Sequence, residues 1–176
     1  MNIRPTRRLA ITGGLVAILG VAVAVQPAAA HAPSASGIIY NTTASGGVCT
    51  IGASTIGYDH TAENSFATAR TTARAGGGGC NVIRLFPPGH LAVRLDVQKW
   101  KSPNWVTCVS TTYVYNTTLT DTVSMNRYFG PRYPNCTGTI NDGPGYFRTK
   151  TVSYAWDGSA WRGGAKYSPY HLMPVA

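Results

Sequence analysis

The groups able to do acid–base chemistry are few and far apart. Six carboxylates are spread through the 176 residues: Asp59, Glu63, Asp96, Asp121, Asp142 and Asp157. One stretch gathers titratable side chains, Asp59-His60 with Glu63. It could supply a general acid and base, or a pair of metal ligands. Neighbouring residues on a strand point to opposite faces, so this set converges only if a loop holds it. Asp142 and Asp157 stand beside Gly residues, in settings where Asp serves turns. His90 and His171 could each meet a serine, but no G-x-S-x-G elbow accompanies them. The "GGGG" at 76–79 lacks the Lys and Ser/Thr of a phosphate loop. No catalytic constellation and no cofactor site follow from these residues. An enzymatic alternative, a small secreted hydrolase using His60 or His90, needs a cleft that brings the imidazole within reach of a carboxylate and a hydroxyl.

The four cysteines carry a different chemistry. Cys49, Cys80, Cys108 and Cys136 form an even set without C-x-x-C or nearby His spacing, so disulfides are expected and a metal site is not. Three pairings are possible. Cys49–Cys80 and Cys108–Cys136 are favoured, because each closes a loop between neighbouring segments. A loop of this size contributes about 3.5 kcal/mol in the chain-entropy picture.

Such pairs imply an oxidising compartment, and the N-terminus gives a route to it. Arg4, Arg7 and Arg8 precede an apolar run from Leu9 to Val25, followed by "QPAAAHA". This is the layout of a secretory signal peptide over residues 1–32, with cleavage after Ala30 or Ala32. The run contains Gly13, Gly14 and Gly20 and falls short of a membrane span. "TRRLAI" is similar to a twin-arginine signal, and paired arginines are also ordinary in Sec leaders, so both routes fit. Removing Arg4, Arg7 and Arg8 from the fifteen basic residues leaves twelve against six acids, a net charge of +6. That charge suits an anionic cell-wall polymer or polysaccharide as partner. The basic residues are scattered, which argues against a dedicated nucleic-acid site.

The elements that must position these residues read as strands. Residues 33–36, "PSAS", are expected as a flexible arm, and 37–176 as a single β-domain. Turn clusters recur about every ten residues, the spacing of an antiparallel β-sandwich, immunoglobulin-like or similar, or a small barrel. Strands are expected at Gly37–Asn41, Gly47–Ser54, Ser65–Thr72, Asn81–Phe86, Leu91–Trp100, Trp105–Asn116, Thr122–Tyr128, Tyr146–Trp156 and Trp161–Tyr167. The Thr61–Arg74 stretch is Ala-rich, with Thr61 a possible helix cap, but its threonines favour a strand. "INDGPGYF" resembles the tyrosine corner of immunoglobulin-like sandwiches, with Tyr146 as the corner residue.

Two hairpins share a layout: Trp100 and Trp105 flank four residues, as do Trp156 and Trp161. A four-residue loop sets each tryptophan pair opposite one another on one face. In the first hairpin Leu91, Val93, Leu95 and Val97 alternate with a mostly polar set and should face the core. Trp100 and Trp105 then point outward with Arg94 and Tyr113, and these four are the candidate ligand-binding residues. In the second hairpin the same reasoning puts the apolar face inside. That face carries Trp156, Tyr154 and Val152, with Arg148 and Lys150 reaching its rim.

The leader ending "AAAHA", the "VRLDVQKW…WVTC" hairpin, Cys136, "GYFRT" and "SPYHL" resemble uncharacterised small secreted proteins of high-GC Gram-positive bacteria. The resemblance implies a secreted two-disulfide β-domain and brings no site residues. The expectation is a non-enzymatic secreted domain binding an anionic envelope polymer or polysaccharide. A secreted protease inhibitor is a further alternative, with the Cys80–Pro88 loop presenting Arg84.

Overall fold

The structure is a computed structural model that describes residues 32–43, 46–59, 64–130, 134, 136 and 143–173. Most of the expected leader, His60, Glu63 and Asp142 lie outside the described residues. Among the described residues ten strands follow in chain order: β1 (Ser34–Asn41), β2 (Val48–Asp59), β3 (Asn64–Ala75), β4 (Leu91–Lys101), β5 (Asn104–Ser110), β6 (Val114–Tyr115), β7 (Thr122–Gly130), β8 (Gly145–Trp156), β9 (Trp161–Tyr167) and β10 (His171–Met173). They form two antiparallel sheets, packed as a β-sandwich. The first has the order β1-β2-β3-β7. The second is built on the long pair β4–β8: β5 and β6 share the free edge of β4, and β9 and β10 share that of β8. Among the described residues no helix is long and apolar enough to cross a membrane.

Ser34–Ser36, expected as a flexible arm, open β1 and pair with Thr55, Ser54 and Ala53. An edge strand gains ladder bonds that an arm would leave to water. Asn81–Phe86 is no strand; it meets its neighbours through isolated bridges at Ile83 and Phe86. Trp105–Asn116 is broken into β5 and β6, with a register shift between Val97 and Gln98 on the partner strand. Asn116 anchors the exit from this region. Its Oδ1 accepts from Leu91 N–H, and its Nδ2 donates to the carbonyls of Phe86, Pro87 and Thr118. The described part of the Ala-rich stretch is strand, as its threonines favour: Asn64–Ala75 is β3 throughout.

Both disulfides have the expected pairing, Cys49–Cys80 and Cys108–Cys136. The first ties β2 to the turn after β3, and the second holds β5. Two disulfides mark a chain that matures in an oxidising environment.

The interior has two unlike halves. On β4, Leu91, Val93, Leu95 and Val97 are all fully buried, as their alternation demands, and they pack with Ala67, Ala69, Ala73, Ile56, Phe86 and Val123. On β8, the inward residues are Phe147, Thr149, Thr151, Ser153 and Ala155, each fully buried. This reverses the face expected for the second hairpin. Its register is as expected, with Trp156 opposite Trp161, Tyr154 opposite Gly163 and Lys150 opposite Tyr167. The aromatic side, however, faces away from the sandwich, and Trp156 and Tyr154 are half-buried there.

Cross-sheet hydrogen bonds account for the reversal. The Thr149 hydroxyl donates to Thr55 O (2.7 Å), Thr151 to Ala53 O (2.9 Å), and Ser54 to Thr149 O (2.8 Å). Thr50 reaches Arg162 O at 2.8 Å. Hydroxyls satisfied in this way can be buried with little penalty. Direct hydroxyl-to-backbone contact also requires the sheets to approach closely. A Cβ on Gly52 of β2 would sit 3.0 Å from Lys166 Cβ and 3.3 Å from the Ser153 hydroxyl, both on the opposite sheet. The close approach suits small hydroxylated residues at Thr149, Thr151 and Ser153, and the rings of β8 other than Phe147 occupy the other face.

Candidate functional site

The outward face of the β4–β8 sheet collects the rings that the interior excludes. β4 contributes Ala92, Arg94, Asp96, Gln98 and Trp100. These pair with Tyr154, Val152, Lys150 and Arg148 on β8, and with Tyr115 on β6 and Trp105 on β5. Cross-strand partners lie on one face, so the ladder makes a single surface of all these side chains.

One end of this surface is a cleft of about 500 Å³ lined by Trp100, Trp105, Tyr146, Arg148, Ser168, Pro169 and Tyr170. The Trp100 and Trp105 rings lie 5.5 Å apart and are tilted by 58°. Trp100 is 40% exposed and Trp105 half-buried, as the alternation of β4 requires. Tyr146 meets Tyr170 edge to face at 5.4 Å. It is an exposed cleft residue, not the buried tie of a tyrosine corner. The Arg148 guanidinium stacks 4.3 Å from the Trp105 ring and 4.4 Å from the Tyr167 ring. Its Nε donates to Gln98 Oε1 at 2.8 Å, while Gln98 Nε2 donates to Thr107 Oγ1. Burial pushes Arg148 below its ordinary value, and Tyr167 acts in the opposite direction.

The other end is a smaller hollow of about 180 Å³ bounded by Ala92, Tyr113, Tyr115, Tyr154 and Trp161. Tyr113 lies 6.1 Å from Tyr154, and Tyr115 lies 5.9 Å from Trp161. Arg94 stands 5.2 Å from the Tyr113 ring. Burial raises the Tyr113 phenol above its ordinary value, Arg94 opposing. The four candidate binding residues therefore share a face but divide between its ends, Trp100 and Trp105 at one, Tyr113 and Arg94 at the other.

Between the ends lies a charged centre. Asp96 is buried and accepts from Ser110 Oγ (2.5 Å) and Arg94 Nη2 (3.1 Å), with Lys150 Nζ at 4.0 Å. The acid is thus enclosed by its own neighbours and helps hold Arg94 against Tyr113.

The cleft residues absent from the candidate binding set are Tyr146, Arg148, Ser168, Pro169 and Tyr170. The alignment of β8 with β9 was available as a signal, but only the pairing of β8 with β4 assigns its outward face. Of the histidines proposed for hydrolysis, His90 is half-buried in the turn before β4, where its carbonyl accepts from Trp156 N–H at 2.8 Å. Among the described residues no three of His, Cys, Asp and Glu gather as metal ligands. Arg84 is held by the carbonyls of Gly46 and Gly47 and lies 5.1 Å from the Phe86 ring.

Compared with family profiles, with curated proteins and with solved structures, the chain finds no match.

Proposed function

We propose that this protein is a secreted, non-enzymatic binding domain that holds a polysaccharide of the cell envelope on the outward face of its β4–β8 sheet. One observation carries the reading: two ring-lined hollows lie at opposite ends of one sheet face, with cations beside each. A sugar ring presents a flat face of C–H groups that packs on an aromatic ring, while its hydroxyls bond polar groups at the edges. The outward-facing rings supply the first, and Arg94, Arg148, Lys150 and Gln98 supply the second. Ala92 and Trp100 are eight residues apart along β4, so the hollows are separated by roughly 25 Å at about 3.3 Å per residue. Two weak contacts at that separation hold an extended chain better than either alone.

The leader and the two disulfides support action outside the cytoplasm, and the net charge of +6 after cleavage supports an anionic surface as partner. The test is retention on purified cell wall and on insoluble polysaccharides at low and high salt. The wild type should be retained at low salt, and the double variant Trp100→Ala, Trp105→Ala should be released. Failure of the wild type to be retained on any of these materials would remove the reading.

A further inference from the structure

Arg148 is placed unlike any other cation on the face. The Trp105 and Tyr167 rings both lie against its guanidinium, at 4.3 and 4.4 Å. Gln98, itself 8% exposed and donating its amide to Thr107, accepts a hydrogen bond from Arg148 Nε–H. The plane of the group is fixed, and its remaining edge, with both terminal nitrogens, has no acceptor among the described residues. The nearest acid along β4, Asp96, is already engaged by Arg94, Ser110 and Lys150. The cleft wall beyond is also fixed: Ser168 N–H donates to Thr149 O, and Thr149 N–H donates to Ser168 Oγ.

We infer that the Trp100–Trp105 cleft is a subsite for an acidic sugar, whose carboxylate takes two parallel hydrogen bonds from the terminal nitrogens of Arg148 while its ring packs on the neighbouring aromatics. This rests on the polysaccharide reading above and names the kind of sugar. The argument is one of access. With two rings against it and Nε engaged by Gln98, the guanidinium offers its terminal nitrogens as the open edge. A planar carboxylate matches that edge with two bonds. The carboxylate of a hexuronic acid leaves the sugar at its rim, so one residue can stack on a ring and meet Arg148 together. A half-buried cation without a counter-charge binds an anion more strongly than an exposed lysine would, because little water remains to be displaced. The lowering of Arg148 by burial agrees with a cation that lacks such a partner.

Calorimetric titration with three probes tests this: oligogalacturonate, the same oligomer methyl-esterified, and poly(glycerol phosphate). The free acid should bind about tenfold or more tightly than the ester, the gain of a charge-assisted bidentate pair. Arg148→Gln should abolish the preference, so that acid and ester bind alike, and Arg148→Lys should restore only part of it. The comparison of acid and ester uses the wild type alone, so it stands even if a variant misfolds. Equal binding of acid and ester overturns the inference and leaves the polysaccharide reading in place. Tighter binding of poly(glycerol phosphate) overturns it in favour of a phosphate-bearing polymer. Absence of binding to all three, together with no retention on cell wall, removes both.

Discussion

β8 has two faces that invert the usual expectation. Its inward side is Phe147, Thr149, Thr151, Ser153 and Ala155, fully buried and mostly small or hydroxylated. Its outward side is Tyr146, Arg148, Lys150, Val152, Tyr154 and Trp156, larger and richer in rings. On the adjacent β4 the ordinary order holds, with Leu and Val inside and charged residues outside. The difference teaches that burial follows the space between the sheets as well as apolarity. Where the sheets meet through hydroxyl-to-carbonyl bonds, a small polar residue fits and an aromatic one does not. The displaced rings then become available to a ligand.

The contrast can be broken most forcefully at its two extremes. Leu95→Ala, in the apolar half of the interior, should cost about 2–5 kcal/mol in denaturant unfolding. Tyr146→Ala, on the outward face, should cost under about 1 kcal/mol. Equal losses would mean that the outward rings are a second core. A smaller effect sharpens the inner face. Thr151→Val keeps the shape but leaves the Ala53 carbonyl without its hydroxyl, and should cost about 1–2 kcal/mol. The Ser153 hydroxyl is buried without a hydrogen-bond partner among the described residues. Ser153→Ala should therefore be neutral within about 0.5 kcal/mol, or stabilising. A large loss at Ser153 with none at Thr151 would refute the cross-sheet account.

A pH-dependent effect concerns the β8–β9 turn that presents Trp156 and Trp161. Asp157 is held below the usual carboxylate range, first by Arg162 Nε–H at 2.6 Å, then by the Ala160 and Ser159 amides and the Ser159 hydroxyl. A carboxyl lowered on folding stabilises the fold above its unfolded value, about 4, and that contribution fades as pH falls toward and through its folded value. The Tm of the wild type should exceed that of Asp157→Asn at pH 7, and the gap should shrink by pH 2. A gap that widens in acid would contradict the assignment.

Much of this arrangement is legible in the sequence because it is local. Alternation along Leu91–Val97 settles the inward face of β4. The four residues between each tryptophan pair set both hairpin registers. The cysteine spacings favour the observed disulfides. The outward face of β8 is not local: it depends on Gln98 meeting Arg148 and Ala92 meeting Tyr154, across 50 residues of chain in the first case. The hydroxyl bonds that admit Thr149 and Thr151 to the interior join different sheets, and no window of sequence contains both partners. Trp100 and Trp105 can therefore be read in advance, whereas Arg148, which completes their cleft, cannot.

The central claim is that the outward β4–β8 face is where a ligand binds, and the four indole N–H signals report on it directly. Titration of the labelled protein with an acidic oligosaccharide, followed by heteronuclear NMR, should shift the Trp100 and Trp105 indoles and the amides around Arg148. The amides of β2 and β3 in the opposite sheet should stay in place. Shifts confined to β2 and β3, or saturation with the Trp100 and Trp105 indoles unmoved, would contradict the account.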